Sequence, residues 1–187
     1  MDRAWLALTA LGVFMKLYAH AVRRGAMLAD APRSRAVAAG AGVGLIQLLA
    51  LLIGVSLSDC VQEDFSERTA ALLGVALGLC CGLPMLRAAW KDDRPEERRQ
   101  QGLAPGRVVR YGLRMAPMSL SLGALQGWRV GHSPLSMALV ALVAALGTAS
   151  GLLVGMRRGY GSKRAAEWMG GAAWLLTAAM TALNWLK

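Results

Sequence analysis

Lys16 is the only lysine set deep inside an apolar stretch of this chain. It lies in LGVFMKLYAHAVRRG (residues 11–25), and His20 stands one helical turn further along the same face. An ammonium inside an apolar helix is costly, so a chain that keeps one has a use for it. It can fill an ion site as a tethered cation, bind the anionic group of a solute, or snorkel towards an interface. His20 suits either a hydrogen-bonded packing role or a proton relay. Gln47, Ser119, Ser121, Thr148 and Ser150 are further polar residues inside apolar stretches, able to line a polar path or to hold helices together. A soft-metal reading draws on Cys80, Cys81, Met115, Met118 and His20, ligand types that suit Cu(I). Against it, neighbouring cysteines on a helix point about 100° apart, and methionines are ordinary packing residues. Nucleotide-binding loops, catalytic triads and metal-hydrolase spacings do not occur. The sequence is therefore read as a non-enzyme with no catalytic residues, no metal ligand set and no cofactor.

The elements that must position these residues are long and apolar. With 56% hydrophobic and 17% charged residues in 187, the chain reads as an all-α integral membrane protein, because apolar runs of about 20 residues match a bilayer. Six transmembrane helices are expected at roughly 4–25, 36–58, 69–91, 107–130, 134–157 and 167–186. The net charge of +10 does not point to nucleic acid, because the basic residues sit between the apolar runs. Connections one, three and five are rich in arginine and lysine, whereas the second, SDCVQEDFSER, holds four acids against Arg68. The positive-inside rule then places odd-numbered connections in the cytoplasm and both termini outside, in a multi-pass protein of the cell membrane. The first run is read as a retained helix and not a signal peptide, because Lys16 and His20 interrupt it and no small-residue cleavage site follows. Cys60, Cys80 and Cys81 give no disulfide framework.

The polar stretch KDDRPEERRQQGLAPG divides the chain into a three-helix half at 1–91, a charged cytoplasmic loop at 92–106 and a second half at 107–187. Residues 11–25 align without gaps on LRMAPMSLSLGALQG (113–127), which sets Lys16 against Met118, and LLIGV (51–55) aligns on GLLVGM (151–156). Three spans is an odd number, so the second half must run inverted, an architecture of secondary transporters with a site at the midplane. Gly40 and Gly44, Gly74, Gly78 and Gly82, and Gly147, Gly151 and Gly155 are spaced four apart, which predicts close helix packing. Pro84 and Pro117 fall inside spans three and four, where each can kink or open the helix.

In chain order, LGVFMKLYAHAVRRGA, GVGLIQLLALLIG, CGLPML, SLSLG, SGLLVG and KRAAEWMGG resemble the manganese efflux pump (MntP) family, a six-helix group related to the lysine exporter superfamily. The resemblance covers nearly the whole chain and implies export of a divalent ion. It also implies three acidic site residues that this chain lacks: Lys16 follows Met15 where the family has an aspartate, Met118 replaces a second, and Gln47 stands at the acidic position of span two. All eleven Asp and Glu lie in loops or at span ends. The expectation is a small transporter moving an ion or small solute through a midplane site of altered specificity. Its candidate substrate contacts are Lys16, His20, Gln47, Met118, Ser119 and Thr148. The alternative is a non-transporting membrane subunit or scaffold that kept the fold. A transporter would turn Lys16, Gln47, Ser119 and Thr148 towards one water-accessible cavity. Its surroundings are the lipid bilayer and a small ion or solute, with a homo-oligomer or a membrane partner left open.

Overall fold

Each apolar stretch forms one continuous helix. The computed structural model describes residues 3–28, 32–61, 67–91, 105–130 and 134–186, so residues 92–104, most of the expected cytoplasmic loop, lie outside them. The helices are α1 (Arg3–Gly25), α2 (Arg33–Val61), α3 (Glu67–Trp90), α4 (Pro105–Val130), α5 (Pro134–Arg158) and α6 (Lys163–Leu186). Their ends follow local chemistry. Pro105 and Pro134 open α4 and α5, where the missing N–H costs nothing. Gly159 follows α5 at φ 63° and donates its N–H to the Gly155 carbonyl at 3.0 Å, a left-handed cap that suits glycine. Pro84 and Pro117 stay inside unbroken helices.

Among the described residues, four helices are long and apolar enough to cross a membrane, namely α1, α2, α3 and α5. Both α4, with Arg107, Arg110, Arg114 and Arg129, and α6, opening on Lys163, Arg164 and Glu167, carry more charge. Leu45, Ile53, Leu72, Leu83, Leu142 and Leu146 are exposed on the outer faces of α2, α3 and α5, where lipid is the fitting solvent. Inside, Leu17, Leu51, Leu122 and Trp174 are fully buried in one core with Cys81, Met85, Met115 and Met118.

Glycines set the packing. The approaches Phe14–Gly147, Tyr18–Gly151 and Val22–Gly155 advance together, so α1 and α5 run parallel. Ile46–Gly112, Gly54–Leu120 and Ser58–Gly127 make α2 and α4 parallel as well. Gly40 meets Ala145 and Gly44 meets Ala141 across antiparallel α2 and α5, and Gly74, Gly78 and Gly82 line antiparallel α3 and α6. All three predicted glycine series thus lie at close helix approaches. It follows that α1 opposes α4, α2 opposes α5 and α3 opposes α6, so successive helices alternate in direction along the chain.

The close approaches also come in counterparts. Gly25 sits on the Leu152 carbonyl as Gly123 sits on that of Leu51, and Gly155 on Val22 as Gly54 on Leu120. Phe14–Gly147 answers Ile46–Gly112, with the glycine on the opposite partner. These pairs lay Lys16 on Arg114 and His20 on Met118, one helical turn from the alignment read in the sequence. One counterpart is missing. α1 packs along α6 through Trp5 and Thr181, Gly12 and Trp174, and Met15 and Gly170, whereas α4 scarcely touches α3.

Candidate functional site

Lys16 and His20 of α1 face a cavity of about 220 Å³ between α1, α3 and α6. Lys16, His20 and Arg23 enter it from α1, Cys81 and Pro84 from α3, and Lys163 and Glu167 from α6. The spacing explains the α1 set, since residues three and four apart share a helix face. All three helices contribute the ends that join connections one, three and five, so the cavity opens on the arginine-rich side of the bundle.

Within the cavity the Lys16 ammonium is half-buried and donates to Cys81 Sγ at 3.3 Å. Lys163 pairs with Glu167 at 3.5 Å one turn along α6, and Glu167 is buried at 8% exposure. His20, in the same lining, is exposed. Tyr18 donates its hydroxyl to Ser162 Oγ at 3.1 Å and so ties α1 to the start of α6.

Gln47 and Ser119 form a separate polar pair. Gln47 is fully buried, donates Nε2–H to the Gly112 carbonyl at 3.0 Å, and accepts from the Ser119 hydroxyl. Met118, beside this pair in sequence, is buried in the core. Thr148 donates to the Ala144 carbonyl at 2.9 Å and lines a small recess of about 30 Å³ with Arg24, Arg107 and Tyr111. There the Arg24 guanidinium lies 4.4 Å from the centroid of the Tyr111 ring, whose hydroxyl donates to the Leu17 carbonyl at 3.1 Å. Ser121 and Ser150 bond back to the carbonyls of their own helices, at Pro117 and Leu146.

The six residues singled out in the sequence therefore occupy separate places. Lys16 and His20 share the α1/α3/α6 cavity, Gln47 and Ser119 join α2 to α4, Met118 packs, and Thr148 lines the recess. The cavity's lining includes none of Gln47, Met118, Ser119 or Thr148. Glu167 and Cys81 make contacts there that the sequence reading does not foresee. Glu167 reads as a span-end acid, and only its position four after Lys163 hints at a turn-spaced pair. Cys81 reads as a small packer, and nothing in the sequence ties it to Lys16. Cys80 is exposed while Cys81 is buried, the divergence expected of helical neighbours. Among the described residues no three of His, Cys, Asp and Glu converge as metal ligands.

Neither a curated protein nor a solved structure matches the chain. A family does match, over residues 30–181, a stretch that takes in α2 to α5 and most of α6 but leaves out α1 with its Lys16. With six helices among its described residues, apolar outer faces and that match over most of its length, this multi-pass membrane protein belongs to the family described as "Mntp: Putative manganese efflux pump".

Proposed function

We propose that the protein is a membrane transporter whose solute passes through the α1/α3/α6 cavity and whose specificity has moved away from manganese. The observation that carries this reading is the Lys16 ammonium in the lining of that cavity. Two like unit charges about 4 Å apart repel by about 4 kcal/mol at an effective dielectric of 20, so a divalent cation beside Lys16 would face about 8 kcal/mol. Hard divalent ions instead want several oxygen ligands, usually including carboxylates. The cavity offers one carboxylate, and Lys163 engages it.

In this reading α4 and α6 also span the membrane, because they pack into the same bundle as the four more apolar helices. The two halves are inverted repeats, and of the cytoplasmic loop expected at 92–106, Pro105 and Gly106 belong to the first turn of α4. Lys16 and His20 contact the solute first, from the cytoplasmic side. Gln47, Ser119, Met118 and Thr148, expected from the sequence to converge on the same space, stand apart from it, so the proposed contacts are those of Lys16 and His20. Both termini lie outside. A membrane-impermeant thiol reagent added to intact cells is expected to label Cys60, which is exposed near the end of α2, and to leave cysteines introduced beside Arg87 unlabelled until the cells are opened. The opposite pattern reverses the orientation.

Cells lacking their own exporter test the specificity. Expression of this chain is expected to give little protection against toxic manganese. Full protection, lost on changing Gln47 or Met118, would put a working manganese site on α2 and α4 and overturn the reading.

A further inference from the structure

Charge in the α1/α3/α6 cavity is one-sided. Lys16, Arg23 and Lys163 bring three positive charges to its lining and Glu167 brings one negative, a net of +2 with His20 neutral. The balance inside the cavity sharpens this. Glu167 pairs with Lys163 and is the one carboxylate in the lining, against Lys16 and Arg23 beside it. Lys16 bonds a thiol, which offsets none of its charge and uses one of three N–H donors. Arg23 lies seven residues, about two turns, further along α1, nearer the basic end of the bundle. A cation-rich space with low-dielectric walls draws anions in from solution.

We propose that this cavity binds an oxyanion, the carboxylate or phosphate group of a small solute or of a lipid headgroup, held by Lys16 and Arg23 with His20 beside them. Ammonium and guanidinium groups together match the several oxygens of such a group, the guanidinium as a planar fork and the ammonium as a point charge. The space of about 220 Å³ suits a polyatomic anion and the first atoms attached to it. The inference rests on the reading that solute passes through this cavity, and it names the chemical class of that solute.

The test follows thermal unfolding of the full chain in a neutral detergent, titrated with sodium phosphate or sodium acetate at an ionic strength held constant with sodium chloride. Ligand binding to the folded state raises the melting temperature saturably. The wild type and Lys16→Arg are expected to show that rise. Lys16→Met and Arg23→Gln are expected to need at least tenfold more anion for the same rise. Arg157→Gln, at the end of α5 and outside the cavity, is expected to respond like the wild type. An equal rise in Lys16→Met means an adventitious ion only and overturns the proposal, as does a wild type that responds to manganese chloride and not to either anion. Mixed micelles separate the two sources. Phosphatidylglycerol that reproduces the Lys16-dependent rise and displaces phosphate identifies a headgroup, whereas a phosphate response indifferent to that lipid identifies a free solute; both uphold the site. The parent reading fails separately. A chain that binds phosphate through Lys16 but moves no solute in proteoliposomes keeps the anion site and loses the transporter, while solute movement with no anion response does the reverse.

Discussion

Gly54→Ala is expected to disrupt the bundle, and Gly106→Ala to leave it intact. A Cβ at position 54 would fall well inside contact distance of the Leu120 carbonyl oxygen, and at 2.9 Å from the Ala124 backbone nitrogen. Both are backbone atoms of α4, so no rotamer change relieves the overlap. The helices must separate, and with them the approaches of Gly123 to Leu51 and of Gly112 to Ile46 along the same seam. Overpacking a close-packed interface costs about 1–3 kcal/mol, and an encounter with backbone belongs at the upper end of that range. The bond from Gln47 to the Gly112 carbonyl would be strained as well. At Gly106, in the first turn of α4, a Cβ meets nothing within 4 Å, and alanine in a helix is favoured over glycine by up to about 1 kcal/mol. Yield and melting temperature of the detergent-purified variants decide the matter. A Gly54→Ala protein that melts within a degree or so of the wild type would show that α2 and α4 are not in backbone contact there.

The glycine seams mark how far the sequence could be read. Four-residue glycine spacing is visible in the chain, and the Gly40, Gly78 and Gly151 series do lie at helix interfaces, because that spacing keeps small residues on one face. Spacing alone cannot name the partner helix. Gly25, Gly54, Gly123 and Gly127 stand outside the three series and still make some of the closest approaches. The internal repeat had the same weakness. Matching residues 11–25 to 113–127 rests on two identities, Leu11 with Leu113 and Gly25 with Gly127, and a slip of four residues returns the same face and keeps one, Gly25 with Gly123. The like approaches of Gly25 to Leu152 and of Gly123 to Leu51 would fit that slipped register, with Lys16 opposite Arg114, as well as the sequence fits the first.

The site was legible in part for a related reason. Lys16 and His20 stood out because a charged or titratable group inside an apolar run is rare, and both line one cavity. Gln47 stood out equally and is a tie between α2 and α4, satisfied on both its polar ends. Local sequence does not distinguish a polar residue that faces a partner helix from one that faces a cavity. Glu167 was hidden by its place near the start of α6, where an acid ordinarily meets water. It is buried because α1 and α3 close over that end of the helix.

Lys16 itself gives the largest expected change in binding. Lys16→Met removes a half-buried charge whose hydrogen-bond partner is an uncharged thiol and leaves a side chain of similar length. A charge in a low-dielectric wall without an acidic partner carries a desolvation cost that methionine does not, so the unliganded variant is expected to melt above the wild type. Lys16→Asp acts on specificity. It puts a carboxylate on the wall that already holds Glu167 and His20, which brings oxygen and imidazole ligands together and removes the nearest repelling charge. Arg23 and Lys163 remain, so affinity for manganese should be weak. At a concentration ten times its dissociation constant, a ligand stabilises by about 1.4 kcal/mol, which is about 3–6 °C for a chain of this size. A rise of that order with manganese chloride is expected in Lys16→Asp, less than a degree in the wild type, and none in Lys16→Asp combined with Glu167→Gln. A folded Lys16→Asp protein indifferent to manganese would mean that the cavity lacks the geometry for a divalent ion whatever its charge. An equal rise in the wild type would mean that the ammonium does not guard it.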